Sequence, residues 1–249
     1  RSTGVKILVF TLSLWISLPS FSQLIRKSEV QFPAGDGLLV TAAHYYASDE
    51  LPYILLFHQE LSSRAEYDSL AYRFVKMKYN CLSVDLRSGD RFHFVDNKTA
   101  KRARKKGLSR SLLSAEKDIH AAIAFVDSLS EHPVILLGSS ASATLCLKVA
   151  SSHPEVSAVL AFSPGDFFRP EHPLNAIVST LEKPVYVAGS ASEYPYLREV
   201  FAVMDPELVT MPEGMELNPY RGTEVLKAAN PAHNQFWLSL LLFVKFLQS

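Results

Sequence analysis

The run Val134-Ile135-Leu136-Leu137-Gly138-Ser139-Ser140-Ala141-Ser142-Ala143 constrains the fold more than any other stretch of the chain. Four apolar residues read as a buried strand, a turn of small residues follows, and residues 144–150 read as a helix. A strand that turns directly into a helix through Gly-x-Ser-x-small is the setting of a nucleophile elbow, a bend sharp enough to lift one serine hydroxyl clear of a sheet. Helix packs on strand at such a bend, so the residues two before and two after the serine must be small. Gly138 meets that demand, Ser142 meets it less well than a glycine, and Ser140 is the raised residue. A serine-rich connection without chemistry is the plainer reading of the same letters.

The flanking sequence alternates between two periodicities. Residues 53–57, 81–86, 157–162, 185–188 and 208–211 read as short strands, the first being the continuous apolar run of a strand covered on both faces. Helical spacing runs through residues 63–78, 114–129 and 231–247, the last with Asn230 as cap and Pro231 at the first helical position. Residues 29–32, the turn 34–37 and residues 38–46 form an opening hairpin. This alternation predicts an α/β fold with a mostly parallel central sheet and helices on both faces. Ligands bind such sheets outside the carboxyl ends of the strands. At 249 residues the chain is of one-domain size.

Composition narrows the function. The formal charge is zero and 20% of residues are charged, so nothing argues for nucleic-acid binding. One basic run, residues 97–107, reads as a solvated helix or surface excursion, with a site for anionic partners as the sharper alternative. Cys81 and Cys146 sit in apolar surroundings and read as buried free thiols. No cysteine or histidine pair has ligand spacing, so no metal is expected. Residues 1–22 read as a signal peptide, with Lys6, an apolar core over 7–18 and the cleavage-like Ser20-Phe21-Ser22. The core is too short for a comfortable membrane span. Residues 23–249 are then the folded domain, secreted or periplasmic, with no stable membrane span after signal removal; an uncleaved anchor is the rival reading.

These segments together resemble the α/β-hydrolase superfamily, in its dienelactone-hydrolase-like and esterase-like group, over essentially the whole mature chain. Phe57-His58-Gln59 is similar to the oxyanion loop after the third strand. Leu137 to Ala143 is similar to the elbow, and Ala161-Phe162-Ser163-Pro164-Gly165 to the segment after the sixth strand. The resemblance implies a small ester-like substrate, no cofactor, and a triad in the chain order Ser, acid, His. Ser140 is the implied nucleophile. The N–H groups of Ala141 and of Gln59, or its neighbour Glu60, are the implied oxyanion donors. His58 is expected to shape that loop.

A serine hydroxyl needs a base, and the base needs an orienting carboxylate. The resemblance puts the acid near Ser192 or Glu193, where Glu193 alone can hold a histidine. Asp166 is the alternative acid, and helix capping is the bland role of either carboxylate. Where the group carries His-Gly-Ser-Arg-Ala-Leu, this chain reads Arg221-Gly222-Thr223-Glu224-Val225-Leu226. Arg221 then replaces the base, and a guanidinium stays protonated. His233 is the one histidine after the last strand. Two functions therefore stay open. One is a secreted serine hydrolase of carboxylic esters or related acyl compounds, running on Ser140, His233 and Glu193. The other is a catalytically degenerate member with Arg221 in place of the base, acting as a ligand-binding or interaction protein.

Overall fold

The chain enters its sheet through an antiparallel hairpin, β1 (Arg26–Pro33) and β2 (Leu39–Tyr46). The structure is a computed structural model that describes residues 24–248, so the leader expected over residues 1–22 lies outside the described residues. The next apolar run is β3 (Tyr53–Phe57), followed by α1 (Asp68–Lys76) and β4 (Asn80–Val84). A two-residue ribbon, β5 (Arg91–Phe92) with β6 (Val95–Asp96), leads to α2 (Lys98–Lys105) and α3 (Glu116–Asp127). The elbow strand is β7 (Val134–Ser139) and its helix α4 (Ala141–Ala150). Then come β8 (Val156–Phe162), α5 (Leu174–Val178), β9 (Val185–Ala188), α6 (Tyr194–Phe201), β10 (Val209–Thr210) and α7 (His233–Phe246).

The sheet order is β1-β2-β4-β3-β7-β8-β9-β10, parallel from β4 to β10. Every residue of β3, β4 and β7 is buried, so helices cover both faces there. The chain leaves β3 toward β4 and later returns to the other side of β3 with β7. Adjacent β3 and β7 thus form the switch point that opens a crevice at the strand ends. Phe57 pairs with Gly138 in register, which brings the loop after β3 level with the bend after β7.

Local chemistry explains the departures from the sequence reading. The helix expected over 63–78 divides into a 3-10 turn, Arg64–Tyr67, and α1, with buried Tyr67 donating its hydroxyl to Phe57 O at 2.9 Å. The closing helix begins at His233, two residues later than expected, although Asn230 Oδ1 does accept from Ala232 N in the manner of a cap while its Nδ2 donates to Val225 O. The strand expected over 208–211 shrinks to two residues behind the 3-10 turn Pro206–Leu208.

The basic run is helical, capped by the Asn97 side chain on Ala100 N. Its Thr99, Ala100 and Ala103 are buried, Arg102 is bonded to Leu39 O and Thr41, and Lys98 and Lys101 pair with Glu29 and Asp96. Those pairings favour the solvated-helix reading over an anionic partner. Arg87, 1% exposed, clamps Asp118 of α3 and Asp36 of the first turn. Cys81 and Cys146 are buried and free. Among the described residues no helix is long and apolar enough to cross a membrane. No group of three or more histidine, cysteine or acidic side chains among them is placed to hold a metal ion.

Candidate active site

Ser140 sits between β7 and α4 with φ 61° and ψ −127°, a backbone state an L-residue adopts only when its surroundings impose it. Three observations show what imposes it. Ser140 N donates to Phe162 O at 2.8 Å. A Cβ at Gly138 would come within 2.5 Å of Ala143 N and Ser142 O, so helix and strand touch through a glycine. The Ser142 hydroxyl donates to Phe57 O at 2.6 Å and accepts from Ser139 N at 2.9 Å. Residue 142, expected to fit less well than glycine, instead ties the bend to the end of β3.

Both implied oxyanion donors face carboxylates. Glu60 Oε1 accepts from the Ser140 hydroxyl at 3.1 Å and from Ala141 N at 3.2 Å. Glu66 Oε2 accepts from Gln59 N at 3.2 Å. Glu66 is buried, and burial pushes its carboxyl up despite the opposing pull of His58 and the Gln59 N–H. An oxyanion needs donors that are free to receive negative charge. In this arrangement both donors are already engaged by carboxyl oxygens.

A second cluster closes the rim. Arg221 Nε donates to Glu193 Oε1 at 2.8 Å, and Nη2 lies 2.5 Å from the same oxygen. Glu193 Oε2 accepts from the Ser163 hydroxyl, Ser190 N and the Ser190 hydroxyl at 2.8, 2.9 and 3.0 Å. Burial opposes ionisation of Glu193, but these donors and Arg221 outweigh it and hold the carboxyl below its usual range. Ser163 Oγ also accepts from Gly222 N at 2.7 Å. Gly222 has φ 54°, and a Cβ there would overlap the Ser139 hydroxyl. Leu61, Ser140, Ser163 and Gly222, all with positive φ, follow the carboxyl ends of strands or the final crossing of the chain over them.

The structure therefore brings Ser140, Ala141, Gln59 and Glu60 together, and separately Glu193 with Arg221. His233 lies at the start of α7 with Nδ1 2.8 Å from Asn230 O. Asp166 accepts from Leu174 N at the start of α5, from Tyr196 and from Arg169, which is the capping role. His58 Nε2 accepts from Leu86 N, so Nδ1 carries the proton donated to Gln59 O. Both nitrogens are then engaged in shaping the loop. No imidazole among the described residues is hydrogen-bonded to Ser140. Sequence reasoning missed the Ser163 hydroxyl and the carboxylates of Glu60 and Glu66. Ser163 and Glu60 carried one signal, position just past a strand end, and Glu66, in the 3-10 turn before α1, carried none. A groove of about 670 Å³ near α7, lined by Met211, Leu217, Leu238 and Leu242 among others, shares no residue with this site.

A mostly parallel eight-stranded sheet with a serine raised between β7 and α4 is the α/β-hydrolase fold. Its structural neighbours are esterases and dienelactone hydrolases. An esterase of Pyrococcus furiosus superposes with a TM-score of 0.64 at 14% identity, covering 88% of this chain and 90% of that one. A dienelactone hydrolase of Anabaena variabilis gives a TM-score of 0.64 at 14% identity, covering 90% and 98%. The esterase domain of a Rhodothermus marinus protein gives 0.52 at 18% identity, covering 75% and 86%. No family model and no curated protein sequence matches the chain.

Proposed function

We propose that this is an exported α/β-hydrolase-fold protein that binds a small acyl-type ligand at the Ser140 rim without hydrolysing it. The observation that carries the reading is the Arg221–Glu193 ion pair. The carboxylate that the resemblance assigns to orienting a base holds a guanidinium, which cannot accept a proton from Ser140. Glu60 and Glu66 on the implied oxyanion donors support the same reading. Arg221 is 67% exposed, and its Nη1 has no partner among the described residues, so it is available to an anionic group of a ligand. Export rests on the basic, apolar and small-residue succession of residues 6–22.

The second reading is hydrolysis of a small ester through Ser140. The intact bend and the esterases and dienelactone hydrolases among the structural neighbours favour it. Fluorophosphonate labelling of the full chain, with p-nitrophenyl butyrate turnover, separates the two. The proposal expects neither labelling nor turnover above background. Turnover abolished by Ser140→Ala would overturn it.

A further inference from the structure

The closing helix buries one face and leaves a second apolar face in solvent. Phe236, Trp237, Leu240, Phe243 and Val244 of α7 are buried, while Leu238 and Leu242, one turn apart, are 59% and 61% exposed. Lys245 is the sole Lys, Arg, Asp or Glu in the helix. Leu238 and Leu242 form one wall of the groove of about 670 Å³, and Met211, Pro212 and Leu217 stand on the facing wall, with Leu217 83% exposed. Met211 follows directly on β10, the edge strand, so the groove lies at an open edge of the sheet. Exposed apolar surface this poor in charge is the composition of an interface core.

The patch is complementary to itself. Leu238 and Leu242 make an i, i+4 ridge, and the groove lies beside it. Two copies related by a two-fold axis can therefore each set a ridge into the other's groove. With the axis level with residue 240 the two helices run antiparallel, Leu238 meets the partner's Leu242, and Gln235 meets the partner's Lys245. Gly214 lies beside Gln235, since a Cβ on it would stand 3.6 Å from Gln235 Oε1. The exposed Glu213 is thus the acid at that end of the groove, and the axis brings the partner's Lys245 toward it, once in each half. Within one chain Lys245 stands about 15 Å of helix beyond Gln235. Neither Lys245 nor Glu213 has an ion-pair partner among the described residues. A foreign occupant of the groove would need apolar surface alone, whereas a second copy matches the apolar ridge and both charges.

We propose that the protein forms a two-fold dimer through this face, α7 against α7 of a second copy, with Leu238 and Leu242 at the centre and a Glu213–Lys245 pair at each end. The face shares no residue with the Ser140 rim, so the dimer stands whether or not that rim turns over an ester.

Sedimentation equilibrium of the full chain over a dilution series tests it. Wild type is expected to sediment as a dimer that dissociates on dilution. Leu242→Glu and Leu217→Glu, on opposite walls of the groove, each place a charge in the apolar centre and are expected to give monomer, with circular dichroism unchanged. Glu213→Lys and Lys245→Glu each set like charges against one another and weaken the dimer about tenfold. The double variant restores the pairs with their signs exchanged and returns to near wild-type affinity. A wild type that stays monomeric up to about 100 μM overturns the proposal, as does a dimer indifferent to Leu242→Glu and Leu217→Glu. A double charge variant no tighter than either single one also overturns it, because the two-fold register requires the rescue.

Discussion

The guanidinium of Arg221 and the carboxylate of Glu193 meet through two contacts to one oxygen, Oε1, at 2.8 and 2.5 Å, while Oε2 is left to Ser163 and Ser190. One carboxylate thus joins the segment after β9 to the end of β8 and to the crossing at residues 221–222. The guanidinium brings a permanent positive charge to this contact.

Arg221→His alone leaves p-nitrophenyl butyrate hydrolysis near background, because Glu60 still holds Ala141 N. Combined with Glu60→Ala it raises turnover on the order of 100-fold, the lower end of what general-base catalysis contributes. The two changes act as a unit, so their effects multiply far beyond independence. Initial rates of the two single variants and the double variant check this; equal gains from Arg221→His with and without Glu60→Ala would refute it.

Ser139→Ala stabilises the protein. The buried hydroxyl has no partner among the described residues, and an unsatisfied buried polar group costs about 1–3 kcal/mol. A gain near 1 kcal/mol corresponds to about 2–4 °C in Tm for a domain of this size. Calorimetry of the two proteins measures it, and an unchanged or lower Tm would count against the assignment.

Ser140→Gly also stabilises. Relief of a φ 61°, ψ −127° backbone returns about 1–3 kcal/mol, set against about 0.4–1 kcal/mol of added unfolded-state entropy. Urea unfolding should show a higher midpoint at an unchanged slope.

Glu66 and Glu193 predict opposite pH dependences. Burial raises the Glu66 carboxyl, so the folded state is favoured at low pH and loses that advantage as pH rises through the raised value. Glu66→Gln therefore raises Tm at pH 8, and the gain vanishes near pH 4. For Glu193, burial is outweighed by its donors and the carboxyl is lowered, so its contribution is present above the ordinary carboxylate range and is lost as pH falls through the lowered value. Glu193→Gln lowers Tm at pH 7, with the deficit closing in acid. Thermal scans across pH test both, and parallel curves for wild type and variants would contradict the assignment.

The sheet was legible because its core strands are continuous apolar runs: residues 53–57 and 134–137 announce burial on both faces, and both are buried throughout. The bend was legible because Gly138 and its small neighbours satisfy a steric demand that is local in sequence. The β5–β6 ribbon was not, since two-residue strands carry no periodicity. The carboxylates on the rim were hidden for a different reason. Glu60 and Ser140 are 80 positions apart in sequence and meet only because β3 and β7 are neighbours. Strand order is a property of the whole chain, and no window around Glu60 contains it.

Ser142 anchors the elbow to Phe57 O, and Phe162 O accepts from Ser140 N. Neither tie involves a group that would react with a substrate. The contour of this rim is consequently set by the scaffold and stands whether or not a reaction runs on it.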